Sequence, residues 1–183
     1  MDKKKIVVII NGKGASGKDT LINFFEKENP GKVFNVSSID PIKEIATMYG
    51  YTEDSKTEKA RKFLSDLKKV FTDWNELPTK YCLDQLEKFC GTELSEVMFV
   101  HIREPEEIEK FKKAALSSKR WNIVVKTLLV TSKRCEDKSY GNTSDDNVDS
   151  YTYDFYYHND KYLNAAKYDF LLFIEENIIP TKF

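Results

Sequence analysis

Seven residues near the N-terminus have the types and the spacing that phosphate chemistry needs. Gly12-Lys13-Gly14-Ala15-Ser16-Gly17-Lys18 fits GxxxxGK, after the apolar run Lys5 to Ile10 and before a helical pattern. Glycines let the backbone curl so that successive N–H groups converge on phosphate oxygens. The positive end of the following helix adds to that field, and Lys18 supplies a point charge for β- and γ-phosphates. The loop is therefore expected to bind a triphosphate through Gly12, Lys13, Gly14, Ala15, Ser16, Gly17 and Lys18. Asp19 stands where the usual pattern has Ser or Thr, so no hydroxyl for Mg²⁺ is offered there. Thr20, one place on, is the expected magnesium or phosphate contact, with Asp19 holding water at the metal.

Other charged residues are weighed against plain solvation. Arg103 ends a predicted strand and faces the crevice where open α/β sheets bind ligands. It is expected either to hold an acceptor's phosphate or to pair with Glu106 or Glu107. Lys43, one turn into a helix, and Arg61, beside the apolar stripe of another, are substrate-binding candidates or solvated side chains. Lys133 and Arg134 could bring positive charge onto a transferring phosphoryl. His101 reads equally as a hydrogen-bonded strand end or as a catalytic group. The aromatic run Tyr151 to Tyr157 is expected to pack a strand rather than stack on a base.

The elements that must position these residues alternate in type. Strands are predicted at 5–10, 33–36, 96–102 and 122–131, and a last one at 153–158. A helix is expected from Lys18 to Glu28, with Leu21, Ile22, Phe24 and Phe25 inward. Asp40-Pro41 reads as N-cap and first residue of another, with Ile42, Ile45, Ala46 and Tyr49 inward and Gly50 ending it. Ser55-Lys56-Thr57-Glu58 reads as a capping box. Behind it Ala60, Phe63, Leu64, Leu67, Val70, Phe71 and Trp74 keep helical spacing and predict a buried stripe. Pro78 and Pro105 open two more helices. Asn159-Asp160 could cap a closing helix through Leu163, Ala166, Phe170 and Ile174, unless Tyr168 to Ile174 is itself a strand. The charged, Ser/Asn/Asp-rich stretch 133–150 predicts a mobile lid. Strands alternating with helices imply a parallel sheet covered on both faces, in a single domain spanning 1–183.

Composition narrows the class. The 183 residues are 40% hydrophobic and 32% charged, enough for a packed core. Twenty-nine bases against 30 acids leave a net charge of −1, so no basic surplus points to nucleic acid. The run Ile6 to Ile10 is far short of the ~20 residues that span a bilayer. With no signal-peptide pattern, a cytoplasmic protein without a membrane partner is expected. Three cysteines without a CxxC pair read as small buried hydrophobes, not as disulfides or a zinc site.

The sequence Gly17-Lys18-Asp19-Thr20 resembles the Walker A loop of the P-loop nucleoside monophosphate kinase superfamily, where the threonine is displaced by one place. Three further segments are similar to phage-type deoxynucleoside monophosphate kinases and animal-type phosphomevalonate kinases. They are Ser38 to Lys43, Val100 to Arg103 with Glu106-Glu107-Ile108, and Ser144-Asp145-Asp146 through Tyr153 to Asp160. Asp40 stands where those families have glycine, and His101 where they have a strand-end aspartate. The resemblance implies a three-layer α/β P-loop kinase fold with about five parallel strands and a small lid. It implies a phosphotransferase using ATP and Mg²⁺, with Lys18, Arg103 and Arg134 catalytic and Lys43, Arg61 and Arg103 on a phosphorylated small-molecule acceptor. A (deoxy)nucleoside monophosphate is the first acceptor and a phosphomevalonate-type metabolite the second. A nucleotide-binding switch with little turnover is the rival from another class.

Overall fold

The aliphatic stretch that opens the chain becomes the centre of an all-parallel sheet. The computed structural model describes residues 4–52, 57–118, 120–137 and 147–179. Its strands are β1 (Lys5–Asn11), β2 (Val33–Ser37), β3 (Val97–His101), β4 (Ile123–Thr131) and β5 (Phe155–His158), in the order β2-β3-β1-β4-β5. β1 pairs with β3 through Ile6 and Val97, and with β4 through Ile6 and Val124. A strand with neighbours on both sides and helices on both faces must be apolar throughout. Val7, Val8, Ile9 and Ile10 are accordingly fully buried, each worth about 1.5–3 kcal/mol relative to exposure.

Alternation along β1 divides the core into two layers. Ile6, Val8 and Ile10 face α1 (Lys18–Glu28) and α6 (Leu163–Phe173), where Leu21, Ile22, Phe25 and Phe170 pack. Val7 and Ile9 face α4 (Leu77–Gly91) and α5 (Pro105–Ser117), through Leu86, Phe89, Ile108 and Phe111. With α2 (Asp40–Met48) and α3 (Glu58–Asn75), which share a small cluster of Ile42, Ala46 and Leu64, this is the expected three-layer α/β architecture. Among the described residues no helix is long and apolar enough to cross a membrane.

Several local expectations change. Asp40 is the first residue of α2 and Ile39 its N-cap; the Asp40 carboxylate reaches back to accept the Ser37 N–H at 2.7 Å. Thr57, not Ser55, caps α3, its hydroxyl accepting the Ala60 N–H at 3.2 Å; Ser55 and Lys56 lie outside the described residues. β5 starts at Phe155 because the Asp154 carboxylate is held by the Thr127 N–H and hydroxyl beside it. Asn159 and Asp160 do not cap α6, which begins after Tyr162, and Tyr168 to Ile174 is helix rather than strand. Of the stretch 133–150, the ends form short 3-10 turns with Cys135 and Val148 buried, so they pack more firmly than their composition suggests. Residues 138–146, with Asp145 and Asp146, lie outside the described residues.

The predicted stripe of α3 is only half used. Leu64 is buried, but Phe63, Val70 and Trp74 are 46%, 60% and 81% exposed, as is Tyr49 at the end of α2. Helical periodicity reports a preferred face, whereas burial requires a neighbour to cover it. Leu64→Ala should therefore cost at least about 2 kcal/mol, while Trp74→Ala should stay within about 0.5 kcal/mol. Urea denaturation of the two variants measures both.

Candidate functional site

In this strand order the chain leaves β1 for one side of the sheet and crosses from β3 back to the other. The crevice beyond the carboxyl ends of β1 and β3 is thus the switch point at which such sheets bind ligands. The loop Gly12 to Gly17 emerges there. A Cβ on Gly12 would lie 2.5 Å from the Val130 carbonyl oxygen, so residue 12 must lack one. Ala15 and Gly17 are left-handed, with φ of 63° and 86°, and the Ser16 N–H closes the turn on the Lys13 carbonyl at 3.1 Å. Gly17 is the N-cap of α1, and Lys18 is buried in its first turn.

The loop is fixed from below and from one side by two asparagines that sequence reasoning missed. Asn11, fully buried, accepts the Gly12 N–H at 2.8 Å and donates to the Arg103 carbonyl at 2.9 Å and to the Tyr153 hydroxyl at 2.7 Å. Tyr153 in turn donates to the Val148 carbonyl at 2.9 Å. Asn159 donates its carboxamide N–H to the Ser16 carbonyl at 2.8 Å, and its own carbonyl receives Arg134 at 2.7 Å. The Asn159 amide occupies the space that a side chain on residue 17 would need. One signal for Asn11 was a polar residue directly ending an aliphatic strand. For Asn159 it was an Asn-Asp pair at the exit of the last strand.

Ionisable groups lie on two sides of the loop. On the β3 side, one Asp19 carboxylate oxygen is 2.8 Å from the Lys18 ammonium and 3.6 Å from His101 Nδ1. The Asp19 carboxylate is exposed, and the partial desolvation it does suffer would raise its pKa, but Lys18 above all, with His101 and Arg103, brings it below the usual carboxylate value. Burial first, then the charges of Lys18, Arg103 and Lys43, push His101 down to about 3 despite Asp19. Its imidazole is therefore neutral near pH 7, and its Nε2 lies 2.9 Å from the Asn35 side-chain oxygen.

On the other side, Thr20, Gly17, Phe24, Arg134, Asn159 and Lys161 line a small cavity of about 50 Å³. The structure thus separates Thr20 from Asp19 and sets Asp19 against Lys18 and His101, with the charges of Arg103 and Lys43 also felt at His101. Lys13 points outward to the Glu136 carbonyl at 3.0 Å and to Asp149 at 3.5 Å, leaving only its backbone for a phosphate. Arg61 lies exposed in the first turn of α3.

No protein-family model and no curated protein matches the chain. Solved structures with similar chain arrangements include a mutant of the APS kinase CysC of Mycobacterium tuberculosis, at 10% identity, 94% coverage of this chain, 98% of that one and a TM-score of 0.46. TT1252 of Thermus thermophilus is 16% identical, with 96% and 99% coverage and a TM-score of 0.48. An unliganded sugar kinase of Janibacter sp. is 12% identical, with 94% and 95% coverage and a TM-score of 0.42.

The depressed His101 pKa has a sign that can be measured. Unfolding frees the ring to take up a proton below about 6.5, whereas the folded ring stays neutral to about 3. Acidification across that window therefore favours the unfolded chain, by about 2 kcal/mol between pH 7 and pH 5. The slope of unfolding free energy against pH in this interval should flatten in His101→Gln.

Proposed function

We propose that the protein is a phosphotransferase that moves the γ-phosphoryl of ATP to a small phosphorylated acceptor. The observation that carries the reading is the glycine loop leading into the buried Lys18 at the sheet's switch point, with Asp19 set between Lys18 and His101 and the charges of Arg103 and Lys43 acting on His101. The loop N–H groups and Lys18 hold the donor's β- and γ-phosphates at the start of α1. Arg103 and Lys43, across the crevice, take the acceptor's phosphate. Arg134, held over Gly17 by Ser132 and Asn159, supplies positive charge from the second side. Arg61 is a peripheral acceptor contact on this reading, and the described ends of 133–150, tied to Lys13 through Glu136 and Asp149, border a single-domain site. Phosphoryl transfer asks little covalent chemistry of the protein, so positioning and charge neutralisation suffice.

A divalent cation fits the donor set at the start of α1, where the Asp19 carboxylate is exposed and next to the phosphate position. When bound, such an ion neutralises phosphate charge and orients the γ-phosphoryl. A (deoxy)nucleoside monophosphate is the favoured acceptor and a phosphomevalonate-type metabolite the next. A second reading, a nucleotide-binding switch with little turnover, draws on one observation: a neutral imidazole ends β3 where a kinase would place a carboxylate.

Purified protein with Mg-ATP and a panel of monophosphates plus phosphomevalonate should form ADP with one acceptor class. ATP binding without ADP from any acceptor would favour the switch. Lys18→Ala should weaken ATP binding by at least about tenfold, or ~1.4 kcal/mol, in calorimetry, without lowering the melting temperature. Unchanged ATP binding in that variant would remove the phosphate-loop reading. His101→Asp adds an oxygen donor beside the phosphates, and should lower the Mg²⁺ needed for half-maximal ADP formation.

A further inference from the structure

Neutral imidazole carries one N–H, and the acceptor oxygen of Asn35, 2.9 Å from Nε2, claims it. The lone pair of Nδ1 is then left facing the Asp19 oxygen 3.6 Å away. That distance is too long for a hydrogen bond, and two lone pairs face each other unless a cation stands between them. Lys18, 2.8 Å from the same Asp19 oxygen, partly fills this need in the free protein. Phosphates at the loop compete for that ammonium and leave the pair to another cation. An ion with bonds of about 2.1 Å can bridge donors up to roughly 4 Å apart, so both atoms can ligate one metal.

The donor types decide which metal. Carboxylate and phosphate oxygens suit Mg²⁺, but an imidazole nitrogen does not, and first-row transition ions bind it more strongly. Asn35 stands to His101 as an outer partner that fixes the ring's tautomer and orientation, which is how metal-binding histidines are usually supported.

We propose that Asp19 and His101 form a mixed oxygen–nitrogen half-site for a transition-metal ion of the Mn²⁺ type, completed by the triphosphate of the bound nucleotide. The proposal rests on the nucleotide-binding reading above. Among the described residues no three His, Cys, Asp or Glu side chains gather to hold an ion alone. The charges of Lys18, Arg103 and Lys43 also act on His101 and oppose a further cation beside it in the free protein. The ion therefore arrives with the polyanion and does not precede it.

Two measurements test this. In calorimetry, Mn-ATP should bind at least about tenfold more tightly than Mg-ATP, and His101→Asp should narrow the ratio to within about threefold. In pulsed electron paramagnetic resonance, ¹⁵N-labelled protein with Mn²⁺ and unlabelled ATP should show coupling from one protein imidazole. The chain's other histidine, His158, lies on β5 with its Nδ1 at Thr131, so His158→Gln should keep the coupling and His101→Gln should lose it. Asn35→Ala, which leaves the ligands in place, should weaken Mn-ATP binding by about tenfold. Metal-independent ATP binding, or a Mn-ATP complex with no protein nitrogen coupling, would overturn the half-site while leaving nucleotide binding standing. Failure to bind ATP with either metal or with none would instead overturn the nucleotide reading, and the half-site with it.

Discussion

The carboxamide of Asn11 is the constraint on which the candidate site depends. It ends a strand that is dry on both faces and paired on both edges, so every polar group there must find a protein partner or cost free energy. One side chain satisfies the Gly12 amide, the Arg103 carbonyl and the Tyr153 hydroxyl together. These belong to the phosphate loop, to the turn after β3 and to the segment entering β5. Segments more than 90 residues apart in sequence are thus fixed to one another at hydrogen-bond precision. An apolar residue of the same size would leave at least one amide and one carbonyl orphaned at the centre of the sheet.

Around that anchor the charges divide rather than cluster. Lys18, Arg103 and Lys43 act on the β3 side, while Arg134 and Lys161 lie on the Gly17 side with Thr20. The division follows from helix geometry: Asp19 and Thr20 are successive residues in the first turn of α1, about 100° apart around its axis. One faces β3 and the other the loop after β5. Lys13, although part of the loop motif, is spent on the Glu136 carbonyl and on Asp149, which ties both ends of the segment 133–150 to the phosphate loop.

Much of the sheet could be read from the sequence because its signals are local. The run KIVVII is apolar over more residues than a half-exposed strand allows, and Gly12 to Lys18 needs only chain-neighbour spacing. The position of Arg103 just beyond the end of β3 was legible for a similar reason, since the strand before it is a local signal. Long-range polar contacts were not legible. Asp40 and Asn159 both carry the local signature of a helix cap, but the Asp40 carboxylate is taken by the Ser37 N–H and the Asn159 amide by the Ser16 carbonyl. The overestimate of the α3 stripe has the same origin. Phe63, Val70 and Trp74 keep helical spacing whether or not another element covers them, and here the described residues leave them exposed.

The place of β1 in the sheet also governs how the chain can be made. Of the five strands described it leaves the ribosome first, yet its two neighbours are the third and fourth, whose pairing begins at Val97 and Ile123. Until then the five β-branched residues Ile6 to Ile10 have both edges open, and this is the kind of segment that pairs with copies of itself. At synthesis rates of about 5–20 residues per second, the interval lasts several seconds. The same strand that organises the finished site is therefore the chain's most exposed liability while it is being built.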